Sequence, residues 1–148
     1  MNYCLRSPLG PIFYDWNGAF CRYIRLHGHE DSQPEHDDPV SHWFQCWFDG
    51  RATALPPMIK PATSFQAKMR PALLAIPAGE TRTYGEIARQ LGTSARAMGQ
   101  ALGANPLPII IPCHRVVAAG GLGGFACGLR WKRKLLDFEN SLTAEGAA

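Results

Sequence analysis

A cysteine lies between a proline and a histidine near the end of the chain, at Cys113. Pro112 fixes its own φ at about −65° and pushes the residue before it towards extended backbone, so the thiol is held in one orientation. A thiol with a pKa of about 8.5 needs a base or a positive field to become the reactive thiolate, and His114 follows directly. The tripeptide therefore predicts a nucleophilic cysteine. A buried core cysteine after a strand is the alternative that these residues leave open.

Two capping-box patterns mark helix starts ahead of this cysteine. One pairs Thr63 with Gln66 and the other pairs Thr83 with Glu86, because a Thr hydroxyl and a Glu or Gln three residues later can satisfy each other's backbone N–H groups. They predict a helix that starts at Thr63 and ends near Pro77-Ala78-Gly79, and another over 84–91 that ends at Gly92. A third helix over 95–103, capped by Thr93 or Ser94, completes a helix-turn-helix.

The third helix has one almost bare stripe. Ala95, Gly99 and Gly103 recur at every fourth position, although glycine inside a helix costs about 1 kcal/mol relative to alanine. Close approach to another surface would explain the stripe. That surface is either a neighbouring helix or the DNA minor groove, which is about 6 Å wide. Met98 and Leu102 form an adjacent apolar stripe that can face the core.

The first half of the chain is predicted to be β-rich. Strand-like runs at 12–14 and 20–26 lie between turn signals. Residues 29–39 are predicted to form a loop, and 39–48 to form a short amphipathic helix. The acidic residues of that loop region are Glu30, Asp31, Glu35, Asp37 and Asp38. The three prolines of 54–61 predict a linker between a β-rich and a helical half.

A last helix is predicted over 130–138, with Trp131, Leu135 and Phe138 on its apolar face. It carries a basic run of Arg130, Lys132, Arg133 and Lys134. The 148 residues hold 46% hydrophobic side chains and a net charge of +3, typical of a globular protein with a mild preference for polyanions. Five cysteines without CxxC spacing indicate a reducing compartment. We expect no membrane span and no secretion signal, and a cytoplasmic or nuclear location.

In their order along the chain, these motifs resemble the O6-alkylguanine-DNA alkyltransferases, also called methylated-DNA–protein-cysteine methyltransferases. The resemblance is strong from Thr63 to Glu139 and weaker over 1–60, where Ser7-Pro8-Leu9-Gly10 is the main similarity. The residues that carry it are Tyr84, Ala95-Arg96-Ala97-Met98-Gly99, Gly103-Ala104-Asn105-Pro106, Ile111-Pro112-Cys113-His114-Arg115-Val116-Val117, Gly124-Phe125, Leu135-Leu136 and Glu139.

The resemblance implies an α+β fold. A small β-rich, ribonuclease H-like domain with its linker would cover 1–62, and a helical domain over 63–148 would hold a helix-turn-helix of the winged-helix type. It also implies a monomer that transfers an alkyl group from O6-alkylguanine in double-stranded DNA to its own cysteine, once, without a cofactor. The DNA would be read in the minor groove after base flipping.

Catalytic roles follow from the same resemblance. Cys113 would be the nucleophile, His114 the base acting through a water, and Glu139 the acid that orients the imidazole. Tyr84 would donate a proton to the leaving purine and crowd the target phosphate. Asn105 would brace the turn before the active strand.

The resemblance also implies a DNA-binding set in which Arg96 takes the place of the extruded base. The other members are Tyr84, Thr93, Ser94, Ala95, Ala97, Gly99 and Arg115. The substrate pocket would contain Val116, Phe125, Ala126 and Cys127.

The chain departs from the family pattern at three positions. Ala126 stands where the family commonly has serine, so O6 would be bound by backbone N–H groups. Cys127 adds a second thiol at the pocket rim, and Arg70 stands where tryptophan is frequent. Some relatives bind zinc, but the available residues match no zinc spacing, and we expect no metal. Those residues are Cys4, Cys21, Cys46, His27 and His29.

Three other functions compete with this interpretation. A lesion-binding relative that flips bases without transferring anything would lack the cysteine, which is present here. A helix-turn-helix regulator would need an additional module, and none is found. A thiol hydrolase would need a glycine-rich nucleophile turn, which is also missing.

Overall fold

The computed structural model describes residues 1–28 and 33–147. The chain divides into a first unit, Met1–Ile59, and a second unit, Lys60–Ala148. A small antiparallel sheet and several helices give the mixed α and β content that the sequence predicts. Within the described ranges, no helix combines the length and the hydropathy needed to cross a bilayer.

The first unit contains an antiparallel sheet and one helix. Its strands are β1 (Asn2–Ser7), β2 (Gly10–Trp16) and β3 (Cys21–Arg25), in the order β1-β2-β3, and its helix is α1 (Pro39–Phe48). The expected strands fall on β2 and β3, whereas β1 was not predicted separately. Gly10 has φ +134°, which explains the glycine in the turn between β1 and β2.

Asp38 begins α1 and connects it to the sheet. Its carboxylate accepts hydrogen bonds from Val40 N at 2.8 Å and Ser41 N at 2.9 Å, and the Tyr14 hydroxyl donates to it at 2.6 Å. One residue of the predicted acidic loop thus acts as a helix cap. Glu30 and Asp31 lie outside the described residues.

The second unit is mainly helical. Its elements are α2 (Ser64–Leu74), β4 (Arg82–Thr83), α3 (Tyr84–Leu91), α4 (Ala95–Gly103), a 3₁₀ turn (Cys113–Arg115), β5 (Val116–Val117) and α5 (Leu129–Ala147). The short strands β4 and β5 pair in parallel. The capping box of α3 is confirmed, because Thr83 and Glu86 bind each other's backbone N–H groups at 3.0 and 3.1 Å. Gly92 ends α3 with φ +70°.

The other capping box is only half formed. Thr63 accepts a hydrogen bond from Gln66 N at 3.0 Å, but the Gln66 side chain donates to Ala101 O in α4 at 2.9 Å. Lys68, on the same helix, donates to Leu91 O at the end of α3 at 2.7 Å. Two side chains of α2 therefore bind carbonyl groups in the last turns of α3 and α4 and fix the helix-turn-helix.

The last helix is longer than predicted and buries a different face. Leu135 is buried as expected, but Trp131 and Phe138 are only half-buried. Among residues 129–143 of this helix, the fully buried side chains are Lys132, Leu135 and Glu139. The buried stripe of α5 thus brings a cation and an anion into the interior beside Cys113 and His114.

Candidate active site

Asn105 shapes the backbone that leads to the cysteine. Its amide donates to Ile111 O and accepts from Leu107 N, both at 3.0 Å. The segment between them is a tight turn rather than the predicted active strand. Ile109 there has φ +77°, a conformation that disfavours a β-branched side chain and interrupts extended pairing. Burial of Ile109 and the two bonds of Asn105 hold the turn in place.

Cys113 begins the 3₁₀ turn, with its side chain at the wall of a cavity of about 530 Å³. The residue is 7% exposed, and burial raises the pKa of its thiol to about 11. The amide of Asn105 and the ammonium of Lys132 oppose that effect in part. The resting nucleophile is therefore a thiol, and it needs a base to become the reactive thiolate.

His114 is held by a buried carboxylate. Its Nε2 lies 2.7 Å from Glu139 Oε1, and both side chains are fully buried. Burial lowers the pKa of His114, and Glu139 compensates only partly. A neutral imidazole that donates Nε2–H to Glu139 carries its lone pair on Nδ1, and Nδ1 has no hydrogen-bond partner in the described part of the chain. The site therefore holds a buried base with one acceptor position unused.

Arg115 is bound to the same carboxylate. Its Nε donates to Glu139 Oε1 at 3.0 Å, its Nη2 donates to Oε2, and its Nη1 donates to Ile76 O at 2.6 Å. Burial pushes the pKa of Glu139 up, but the hydrogen bonds from Arg115 and His114 outweigh it and lower the pKa to about 2. The guanidinium is thus committed to the interior, and the DNA contact implied for Arg115 is corrected to a contact with Glu139.

Sequence reasoning placed Lys132 in the basic run and missed its place in the site. Its Nζ donates to Val116 O at 2.7 Å and to Gly124 O at 2.8 Å, and the side chain is fully buried. Lys132 lies seven residues before Glu139, two helical turns along the same face of α5. That spacing is the signal that could have identified it.

Tyr84 and the segment before α5 lie against each other. The Tyr84 hydroxyl accepts from Gly124 N at 2.9 Å and donates to Gly124 O at 3.3 Å. Gly123 has φ +73°, and a Cβ there would lie 2.6 Å from Tyr84 ring and hydroxyl atoms. Because Lys132 also binds Gly124 O, the lysine, the segment and the phenol form one connected group beside the cavity.

The bare stripe of α4 forms the wall of the cavity. Ala95, Gly99 and Gly103 line it together with Arg96. A Cβ on Gly99 or Gly103 would meet nothing within 4 Å, and neither residue has a positive φ. Packing against a neighbouring helix is therefore wrong as an explanation of the stripe. Met98 and Leu102 are buried as predicted.

The remaining predicted residues are divided between the cavity and its surroundings. Phe125 and Ala126 line the cavity. Val116 is buried with its carbonyl bound to Lys132, and Cys127 is half-buried beyond the lining residues.

The α4 N-terminus is capped by Ser94, whose hydroxyl accepts from Ala97 N at 3.1 Å. Thr93 precedes this cap and is half-buried.

No group of three or more His, Cys, Asp or Glu side chains that could hold a metal ion occurs among residues 1–28 and 33–147. Of the residues considered for zinc, Cys4, Cys21 and Cys46 are buried. His29 lies outside the described residues.

Comparisons with known proteins give a consistent result. A family model described as 6-O-methylguanine DNA methyltransferase, DNA binding domain, matches residues 64–141. A methylated-DNA–protein-cysteine methyltransferase of Mycobacterium tuberculosis is 37% identical, over 91% of this chain and 89% of the relative. The protein of the same name from Methanosarcina acetivorans is 38% identical, over 91% of this chain and 95% of the relative.

Solved structures agree with the sequence comparison. A crystal structure of Mycobacterium tuberculosis OGT in complex with DNA superposes with a TM-score of 0.78 and 35% identity, covering 95% of this chain and 93% of the other. The O6-methylguanine-DNA methyltransferase of Pyrococcus kodakaraensis gives a TM-score of 0.76 and 26% identity, covering 94% and 99%.

Proposed function

Because the chain belongs to the O6-methylguanine DNA methyltransferase family, we propose that it repairs O6-alkylguanine in DNA by taking the alkyl group onto Cys113. The observation that carries this function is the arrangement around that thiol. Cys113 lies at the wall of a cavity and is followed by the buried His114, whose Nε2 is hydrogen-bonded to Glu139. Nucleophile, base and orienting acid are thus supplied by neighbouring elements of one unit.

The reaction follows from the protonation states of these groups. The lone pair of His114 Nδ1 accepts the thiol proton through a bridging water, and Glu139 stabilises the imidazolium that forms. The Cys113 sulfur attacks the alkyl carbon as the bond from that carbon to O6 breaks, and the bonding electrons leave with the purine. The Tyr84 phenol supplies a proton to the departing base, and water carries the proton held by His114 back to the phenolate. The products are an S-alkylcysteine and an unmodified guanine.

Each molecule reacts once. The sulfur of the product belongs to a thioether, which is a poor leaving group. The proposed mechanism includes no step that would release the alkyl group from it.

The α4 helix is the part of the molecule that we assign to DNA. The stripe of Ala95, Gly99 and Gly103 has almost no side chains, which would let the backbone of α4 approach the floor of the minor groove. Arg96 would fill the space that the flipped base leaves in the duplex. Positions in the first half of α4 and in the turn before it would contact phosphates, which gives salt-sensitive binding with weak sequence preference. Those positions are Thr93, Ser94, Ala95, Ala97 and Gly99.

The two units have different roles in this proposal. The three-stranded antiparallel sheet followed by α1 supports a ribonuclease H-like first domain, over 1–62 with its linker. The α3–α4 pair beside the short β4–β5 pairing supports a helix-turn-helix of the winged-helix type in a catalytic domain over 63–148. The protein would act as a monomer on DNA in the cytoplasm or the nucleus.

The alternative is a lesion-binding protein that flips alkylated bases without transfer. It would use Arg96 and the bare stripe equally well, but it would not need a thiol with a relay. The cysteine and the His114–Glu139 pair together favour the transferase.

Intact mass spectrometry tests the proposal directly. After incubation with a duplex that contains O6-methylguanine, one methyl group of about 14 Da should appear on Cys113, in an amount equal to the lesion repaired. Cys113→Ala should abolish transfer, and Cys127→Ala, the matched control at the other thiol of the second half, should retain it. Methyl on Cys127, or repeated turnover, would contradict the assignment.

A further inference from the structure

A second concave surface lies at the start of α5. We call it the α5 groove; it has a volume of about 470 Å³. It is lined by Leu122, Leu129, Arg130, Arg133, Lys134 and Asp137. None of these residues lines the cavity beside Cys113, so the relay and the α4 helix do not explain the groove.

Two arginines of the groove lack acidic partners among the described residues. Arg130 and Arg133 are exposed, and neither forms a hydrogen bond or an ion pair with another described residue. Elsewhere arginine is usually paired: Arg22 binds Asp15 and Arg82 binds Glu80. Three cations facing one carboxylate give the groove a positive field.

The groove also has an apolar part. Leu129 is 50% exposed, and Leu122 lines the groove with it. A nucleic-acid strand alternates anionic phosphates with the largely apolar faces of deoxyribose. Cations spaced around exposed leucine match that alternation better than they match a small anion.

Position links the groove to the active site. Leu122 borders the groove, and Gly124, two residues later, lines the Cys113 cavity. The backbone that limits the cavity therefore also limits the groove. Because Leu122 and Gly124 are two residues apart, at most about 7 Å along the chain, the strand that carries an entering guanine can reach the groove. Two of the lining residues, Leu129 and Arg130, lie in the first turn of a 19-residue helix, where the helix dipole adds positive potential.

We propose that the α5 groove binds the phosphodiester backbone of the DNA strand next to the extruded nucleotide, outside the contacts of α4. This inference rests on the proposed function, because it takes the DNA to be the substrate. It adds a second binding surface for the same duplex. An acidic protein segment is the competing occupant.

Salt dependence of binding to a duplex that contains O6-methylguanine tests the groove, with Cys113→Ala present in every protein compared so that no alkyl group is transferred. Replacing Arg130, Arg133 and Lys134 together by Gln should reduce the slope of log K against log salt concentration by about 0.9 for each phosphate that is no longer neutralised, hence by roughly 2 to 3. The affinity at moderate salt should fall at least about tenfold. The thermal midpoint should change little, because two of the three side chains are exposed.

A matched control removes the same charge elsewhere. Arg6, Arg25 and Arg51 of the first unit, changed together to Gln, lower the net charge equally and should leave the slope nearly unchanged. A wild-type slope in the groove variant, or an equal loss in the control, would overturn the proposal, and an acidic protein as occupant would give the first of these results. Alkyl transfer from free O6-benzylguanine to wild-type Cys113 tests the proposed function separately, since a free base has no backbone.

Discussion

Replacing Arg115 by Met tests whether the buried guanidinium holds the relay together. The change removes both hydrogen bonds to Glu139 and the one to Ile76 O, while the methionine retains an apolar stem of similar length. Folding lowers the pKa of Glu139 from 4.5 to about 2. Each pKa unit corresponds to about 1.4 kcal/mol, so the ionised carboxylate contributes about 3 kcal/mol to the free energy of unfolding. Removing one partner of a buried pair costs about 3 to 5 kcal/mol. We expect a loss within that range at pH 7.

The sign of the pH dependence distinguishes this role from simple packing. A carboxylate whose pKa is lowered by folding adds stability above pH 4.5, and that stability is lost as the pH falls towards 2. The wild-type protein should therefore lose stability between pH 5 and pH 3, and the variant should lose much less. His114 should also become easier to protonate, since the Arg115 charge helps to lower its pKa. The acid limb of alkyl transfer should then move to higher pH.

Urea unfolding followed by tryptophan fluorescence at several pH values measures these effects. Arg82→Met is the matched control, because Arg82 and Glu80 form an exposed pair whose loss should cost less than about 1 kcal/mol. If Arg115→Met costs no more than this control, or if both proteins lose stability equally between pH 5 and pH 3, the role assigned to Arg115 is wrong.

Three further substitutions examine other parts of the site. Lys132→Met leaves the carbonyls of Val116 and Gly124 without their donor. Alkyl transfer from O6-benzylguanine should then slow at least about tenfold, while the affinity for a duplex should change little. An unchanged rate would refute a role of Lys132 in holding Tyr84. Arg96→Ala should reduce repair in duplex DNA much more than reaction with the free base, because only the duplex needs a flipped nucleotide. Equal losses would indicate a structural arginine. Gly99→Lys should weaken duplex binding despite its charge, at an unchanged thermal midpoint, and tighter binding would show that the stripe does not face DNA.

Local signals were sufficient for the helices α3 and α4. The Thr83 box, the turn at Gly92 and the bare stripe at Gly99 each depend on residues within a few positions of one another. They therefore appear in the structure as predicted. The role of the stripe could not be predicted from the sequence. Only the structure shows that the space beside Gly99 is open and not filled by a neighbouring helix.

Contacts between residues far apart in the chain could not be predicted from the sequence. Periodicity counts apolar side chains, so it favoured Trp131 on α5 and overlooked Lys132, whose partners are carbonyl groups up to 16 residues away. Arg115 likewise looked like a surface cation, because its carboxylate partner lies 24 residues later. The run before Cys113 is rich in β-branched residues, yet the bonds of Asn105 bend it into a turn.

Burial of Cys113 has a consequence for the lifetime of the unreacted protein. At pH 7 a thiol with a pKa of about 11 is ionised in about one molecule in ten thousand, and soluble electrophiles and oxidants react with the thiolate. A reagent that is consumed by its first reaction would be wasted by such encounters. The burial that keeps Cys113 protonated therefore also preserves the supply of active molecules, and the number of protein molecules that a cell has made sets its capacity for repair.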